Sequence, residues 1–222
     1  MALPSQPKSS SGWFIFTRFS GAVWCTIGKC ARPLMFLLYM NDIGDKTSPQ
    51  TSIKLFADNC ILYHTIKTRE DEEQLQADLS RMIEWSNTLL MSFNADKCHL
   101  LKITRHRTNI ETSYHIEGKK LSQVPSHPYL GLELTSDLIW IIHISNITGK
   151  ANKMILNLLR RHLYNCSTEV KSRAFTSLVR PHLEYASSVW DPYLKQDINQ
   201  LEKVQRKGAR FVYMGNISIQ KA

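Results

Sequence analysis

Asp58 and Asn59 lie between two apolar runs in LFADNCILYH, residues 55 to 64. Ile53, Leu55 and Phe56 on one side and Ile61, Leu62 and Tyr63 on the other predict two short buried strands joined by a tight polar turn, with Asp58 and Asn59 as the turn residues. Two uses fit such a turn. Aspartate and asparagine are favoured there for structural reasons alone, since their side chains bond nearby backbone and tolerate left-handed geometry. A carboxylate at a hairpin tip is also a place from which divalent cations are held during nucleotidyl transfer, where two metals bind the attacking and leaving oxygens and neutralise a triphosphate. One carboxylate cannot do that alone, so the surrounding elements decide.

Those elements follow from periodicity and punctuation. Residues 1 to about 12 are rich in Pro and Ser and predict a tail. Pro33 followed by Leu34, Leu37, Leu38 and Met40 to Ile43 predicts a short, nearly fully buried helix stopping near Gly44. Thr68 with Asp71 forms a capping-box pattern, and Glu70 to Glu73 put negative charge on the first turn of a second helix. Leu75, Leu79, Met82, Ile83, Leu89 and Leu90 give that helix its buried face. Short strands return in CHLLKI, in SYHI turning at Glu117-Gly118 into KKLSQV, and in YLGLEL. Beyond about residue 141 the pattern is helical: Met154, Ile155, Leu158, Leu159 and Leu163 line one face, and Val170, Ala174, Phe175, Leu178 and Val179 a second, up to Pro181. Ile198, Leu201, Val204, Phe211 and Val212 line a third. The change from mixed to all-helical near residue 137 marks a domain boundary.

Composition narrows the partners. Lys+Arg number 28 against 19 Asp+Glu, a net charge of +9, which makes a polyanion such as nucleic acid a plausible partner. Lys150, Lys153, Arg160, Arg161, Arg173, Arg180, Lys203, Arg206, Lys207 and Arg210 fall in the helical half, where they serve either as phosphate contacts or as ordinary solvated helix faces. Trp85, Trp140 and Trp190 are assigned to packing rather than to base stacking. Five scattered cysteines form no disulfide framework and no two-pair zinc pattern, pointing to an intracellular compartment, nucleus or cytoplasm. PLMFLLYM, residues 33 to 40, falls far short of the roughly 20 residues that span a bilayer, so no membrane is implied. Arg18 within the apolar stretch WFIFTRF makes the N-terminus a poor secretory signal.

The order RPLMFLLYMNDI, LFADN, a helix containing Trp85, FNADKCHLLKI and YLGLEL resembles the second half of a reverse-transcriptase palm of the non-LTR (LINE-type) retrotransposon family. The helical remainder, LLRRHLYNCSTEVKSRAFTSLVRPHLEYASSVWDPY, is similar to the segment after that palm, where a thumb is expected. The resemblance spans roughly residues 31 to 213. It implies an α+β fold: residues 1–30 an unrelated or disordered segment, 31–136 a partial palm of antiparallel strands with packed helices, 137–222 a helical thumb-like region. It further implies RNA-directed DNA polymerase ancestry, with an RNA template, a DNA primer and Mg²⁺ or Mn²⁺. Asp58 would be a metal-binding carboxylate, and Lys97, in the family's Asn-x-x-Lys motif with Asn94, would sit near the incoming triphosphate as a catalytic residue. Tyr129, Leu130 and Gly131 would form the primer-contacting turn, with Arg160 and Arg161 on nucleic acid, and Gly28 would be the remnant of the Pro-Gln-Gly loop.

Departures from the family weigh as heavily. Asn59 stands where the turn has a second aspartate, and an amide oxygen is a weaker Mg²⁺ ligand. Residues 1 to 41 contain no Asp or Glu to supply the upstream metal ligand, and the fingers have no counterpart. TIGKCARP keeps Gly28 and Pro33 but little else of the loop. The expectation is an enzyme remnant that does not polymerise, its acid-free N-terminus being unrelated sequence joined to a truncated element and its palm lacking a strand, which leaves a sheet edge uncovered. The alternatives are a non-catalytic basic protein binding nucleic acid nonspecifically, and a nonfunctional product of a mis-joined gene.

Overall fold

Residues 11–20, 38, 40–104 and 113–214 are described by the computed structural model of the chain, an α+β fold that divides into two compact units. One gathers the described residues up to His127 with Thr135–Leu138; the other gathers Pro128–Leu134 with the helices after Ile139. The division after Leu138 lies close to the boundary expected from the sequence, but Pro128–Leu134, read as palm, group with the helices.

SGWFIFTRFS, Ser11–Ser20, forms β1. Aromatic and β-branched side chains favour an extended backbone, and alternation sends Trp13, Ile15 and Thr17 to one face and Phe14, Phe16 and Arg18 to the other. Both faces are covered. Trp13 and Ile15 are fully buried in the main core, Phe14 stacks on Tyr63 at 5.5 Å and Phe16 on His127 at 4.2 Å. A strand apolar on both faces belongs inside a sheet, and β1 is paired along both edges. Beside it run β3 (Asn59–Ile66), in register from Ser11↔Ile66 to Arg18↔Asn59, and β5 (His99–Ile103), from Gly12↔Ile103 to Phe16↔His99. β2 (Ser52–Phe56) lies outside β3, β8 (Ser122–Gln123) lies outside β5, and β4 (Ser92–Phe93) pairs with the end of β1. The order β2-β3-β1-β5-β8 is antiparallel except for the β5–β8 pair.

Of residues 1–30, expected to be an unrelated or disordered segment, the ten described residues make the sheet's central strand. Within the sheet β1 is bonded to β3 on one side and to β5 on the other, and its WFIF run is buried on both faces.

α1 (Arg69–Thr88) starts at the expected capping box, in which Thr68 Oγ1 accepts the Asp71 N–H and Asp71 accepts the Thr68 N–H at 2.9 Å. Leu75, Leu79 and Met82 are buried in the cluster that holds Trp13 and Ile15. The helix ends at Thr88, so Leu90 does not extend its face: it has a left-handed φ of 54° and is 87% exposed. The helix expected over 33–43 is described only at residues 38 and 40 and then as a 3-10 turn, Asn41–Lys46, which runs through Gly44. Met40 and Ile43 are buried as expected, whereas Leu38 is exposed.

Asp78 of α1 is fully buried. It accepts the Ser48 N–H at 3.0 Å and the Ser48 hydroxyl at 2.7 Å, and takes further hydrogen bonds from Thr51 and Arg81. Thr51 Oγ1 also lies 2.9 Å from His64 Nδ1 of β3. One carboxylate thus clamps α1, β3 and the loop leading into β2.

Two hairpins turn on left-handed pairs: the first where the sequence pattern predicts, the second inside YLGLEL, which the pattern gives as one strand and the family resemblance as a turn. Between β6 (His115–Ile116) and β7 (Lys119–Lys120), Glu117 and Gly118 have φ of 51° and 77°; between β9 (Ser126–Tyr129) and β10 (Leu132–Thr135), Leu130 and Gly131 have φ of 47° and 82°. Two consecutive left-handed residues match the twist of the flanking strands.

The helical unit runs α2 (Ile141–Lys153), a π turn (Met154–Leu159), α3 (Arg160–His162), α4 (Thr168–Ala174), a second π turn (Phe175–Val179), α5 (Arg180–Glu184), α6 (Ser187–Trp190) and α7 (Lys195–Met214). Ala151, Ile155, Leu159, Val179, Leu183, Val204, Phe211 and Val212 form its core. Leu158 and Leu178, expected to face inward, are exposed; each lies in a π turn, whose i→i+5 winding rotates the apolar face away from a 3.6-residue period. Val170, in the first turn of α4, and Ile198 are also exposed rather than buried. Pro181 does not stop its helix; it is the second residue of α5, just after the π turn. Gly208 lets α7 close on Phe175, since a Cβ there would fall 2.1 Å from the ring.

Candidate functional site

Phe56 pairs with Asn59 across the β2–β3 hairpin, so the two turn residues are Ala57 and Asp58. Asn59, expected in the turn, is the first residue of β3. Ala57 holds φ at 50°, a left-handed conformation that costs a residue with a Cβ about 1 kcal/mol. The strained turn leaves Asp58 partly exposed at the tip.

Across the ladder from Asn59 stands Arg18, and cross-strand partners share a face of the sheet. The Arg18 Nε–H donates to Asp58 Oδ2 at 2.5 Å. The Arg18 carbonyl accepts the Asn94 N–H at 2.8 Å, and the Asn94 carbonyl accepts the Lys97 N–H at 2.9 Å. Backbone bonds therefore bring the 3-10 turn Ala95–Lys97 to this end of the sheet, with the Lys97 side chain exposed. Its neighbour Asp96 pairs with Lys119, which holds the Asp96 carboxyl below its usual range. Asp58, Asn59 and Arg18 are together; Lys97 joins them through the backbone. Arg18 was not singled out from the sequence as a site residue, although a lone charge inside WFIFTRF was the available signal.

Mg²⁺ and Mn²⁺ in nucleotidyl transfer require several hard oxygen ligands, with carboxylates from both the hairpin and the adjacent strand. Asp58, Asn59 and Arg18 supply one carboxylate, one amide and one cation, and the cation is already bonded to the carboxylate. These residues do not fit a two-metal centre.

The β9–β10 turn is held within the helical unit. Tyr185 donates its hydroxyl proton to the Leu130 carbonyl at 3.0 Å, and its ring covers Gly131 so closely that a Cβ there would sit 3.0 Å from it. Gly131 thus serves both the left-handed turn and the close approach; Tyr129, before it, ends β9. Arg160 and Arg161 are exposed, as are the other eight basic residues identified from the sequence. Residues 139–222 carry 13 Lys+Arg against 5 Asp+Glu, whereas residues 1–138 carry 15 against 14, so the helical half holds nearly all of the net charge. Trp85 and Trp190 are buried and Trp140 half-buried, in keeping with packing. Gly28 lies outside the described residues.

One cluster had no motif to announce it. His99 Nδ1 lies 2.9 Å from Ser122 Oγ, and its ring is 5.3 Å from that of His127. Burial, with His99 alongside, pushes the His127 imidazole down to about 4, so it is neutral near pH 7.

No helix among the described residues is long and apolar enough to cross a membrane. Comparison of the chain with protein-family models, with curated proteins and with solved structures gives no match.

Proposed function

We propose that the chain is a remnant of the RNA-directed DNA polymerase of a non-LTR retrotransposon, a partial palm followed by a thumb-like helical region, that no longer performs nucleotidyl transfer. The observation that carries this is the hairpin tip: Asp58 lies where the family resemblance puts a metal ligand, and the strand beside it presents Arg18 instead of a carboxylate. With one carboxylate tied to a guanidinium, neither the attacking hydroxyl nor the leaving pyrophosphate has the metal ions that would stabilise its charge.

A second function, binding nucleic acid without chemistry, is favoured by the charge division between the two halves. Each phosphate neutralised by Arg160, Arg161 or the α7 basic residues releases counterions, so affinity should fall steeply with salt and depend little on sequence. Fluorescence anisotropy with an RNA–DNA hybrid tests it. If six or more phosphates are contacted, affinity drops on the order of 10³-fold between 50 and 200 mM salt, and replacing Lys203, Lys207 and Arg210 by Gln flattens the slope. Binding that is absent at 50 mM salt, or insensitive to salt, would remove nucleic acid as a partner.

A further inference from the structure

We propose that Arg18 is a built-in cation at the β2–β3 tip, holding the place beside Asp58 that a divalent ion would need and excluding Mg²⁺ and Mn²⁺ from the turn. Three features make the guanidinium a resident occupant. Its backbone is fixed in the central strand, opposite Asn59 on one edge, and its carbonyl is bonded to the Asn94 N–H. Its Nε–H donates to Asp58 Oδ2, a hydrogen bond between two charged groups. Its guanidinium is a planar fork of donors that matches a carboxylate, unlike the point charge of lysine.

Because the cation is part of the chain, it meets the carboxylate intramolecularly and is not lost on dilution, as a free metal ion would be. A divalent ion at Asp58 would also sit within about 4 Å of a unit positive charge, a repulsion that costs roughly 30-fold in affinity even in bulk water. The pair does in one molecule what a carboxylate cluster and its metals do together: it neutralises the negative charge of a strained turn. What is lost is an exchangeable ion that could meet a substrate.

The inference rests on the proposed polymerase ancestry only for where a metal would belong, and its test needs no polymerisation. The ¹⁵N-labelled full chain is titrated with Mn²⁺ alone, and paramagnetic broadening is read at the amides of Ala57 to Cys60. In the unaltered chain these signals should broaden no more than in Asp58→Asn. Arg18→Gln should make them broaden at several-fold lower Mn²⁺, and adding Asp58→Asn to that variant should cancel the gain. Arg18→Asp with Asn59→Asp, which places three carboxylates at the tip, should lower the required Mn²⁺ at least tenfold further. Amide positions along β1 and β3 report that each variant is folded. Mn²⁺ broadening at the unaltered turn that Asp58→Asn abolishes overturns the proposal whether or not Arg18→Gln folds, and so does a folded Arg18→Gln that broadens like the unaltered chain.

Discussion

Ile15→Asp is expected to abolish cooperative unfolding of the sheet unit. Ile15 is fully buried, its strand is bonded on both edges, and its side chain shares the core with Leu62, Leu75, Leu79 and Leu100. A carboxylate placed there loses its hydration among apolar side chains, a penalty of several kcal/mol added to the lost apolar contact. A domain of this size is stable by only about 5–15 kcal/mol. Lys54→Gln, on the exposed face of the edge strand β2, is the control and should change stability by less than about 0.5 kcal/mol. Thermal and urea unfolding followed by circular dichroism decide. An Ile15→Asp chain that unfolds at the same midpoint as the control would mean that β1 is not the centre of the sheet.

Asp78→Ala has the second largest expected effect, about 3–5 kcal/mol of destabilisation. The substitution leaves the Ser48 N–H and the Ser48 and Thr51 hydroxyls without their acceptor in a buried site, and it frees Thr51 from its position against His64. Breaking the clamp should loosen α1 from β3. The same group sets an acid limb. Burial raises the Asp78 carboxyl, but hydrogen bonds from Thr51, Ser48 and Arg81 outweigh burial and hold it below its ordinary 3.8. A folded-state value below the unfolded one means that the contribution is fully present above about pH 4 and is lost as pH falls through the folded value. Asp71 is shifted the same way: hydrogen bonds from Lys67 and Thr68 and the nearby His64 outweigh its burial. Stability measured in urea should therefore fall below pH 4, and more shallowly in Asp78→Ala. Equal slopes in the two proteins would show that Asp78 is not ionised in the fold.

Local signals carried much of this architecture. The Thr68–Asp71 capping box, the Glu117-Gly118 turn and the strand at His99–Ile103 each depend on a few adjacent residues, and each appears where those residues put it. β1 was missed for the opposite reason. Its stability comes from β3 and β5, dozens of residues away, and its Pro/Ser-rich approach and single arginine masked a run apolar on both faces. The π turns were equally hidden, since a pattern read at 3.6 residues per turn assigns Leu158 and Leu178 to the wrong side. At the tip, Asp58 stood out by residue type, but its partner did not. Arg18 became visible only when the register set it opposite Asn59, because which strand lies beside the hairpin is a property of the sheet and not of either segment.

Primer extension on an RNA template tests most directly whether this hairpin has kept its form and lost its chemistry. The unaltered chain, Asp58→Ala and Asn59→Asp are each incubated with a DNA primer, deoxynucleotides and either Mg²⁺ or Mn²⁺. No extension above the Asp58→Ala background is predicted for either of the other two, since adding one aspartate still leaves Arg18 on the adjacent strand. Incorporation by the unaltered chain, or rescue by Asn59→Asp alone, would contradict the account.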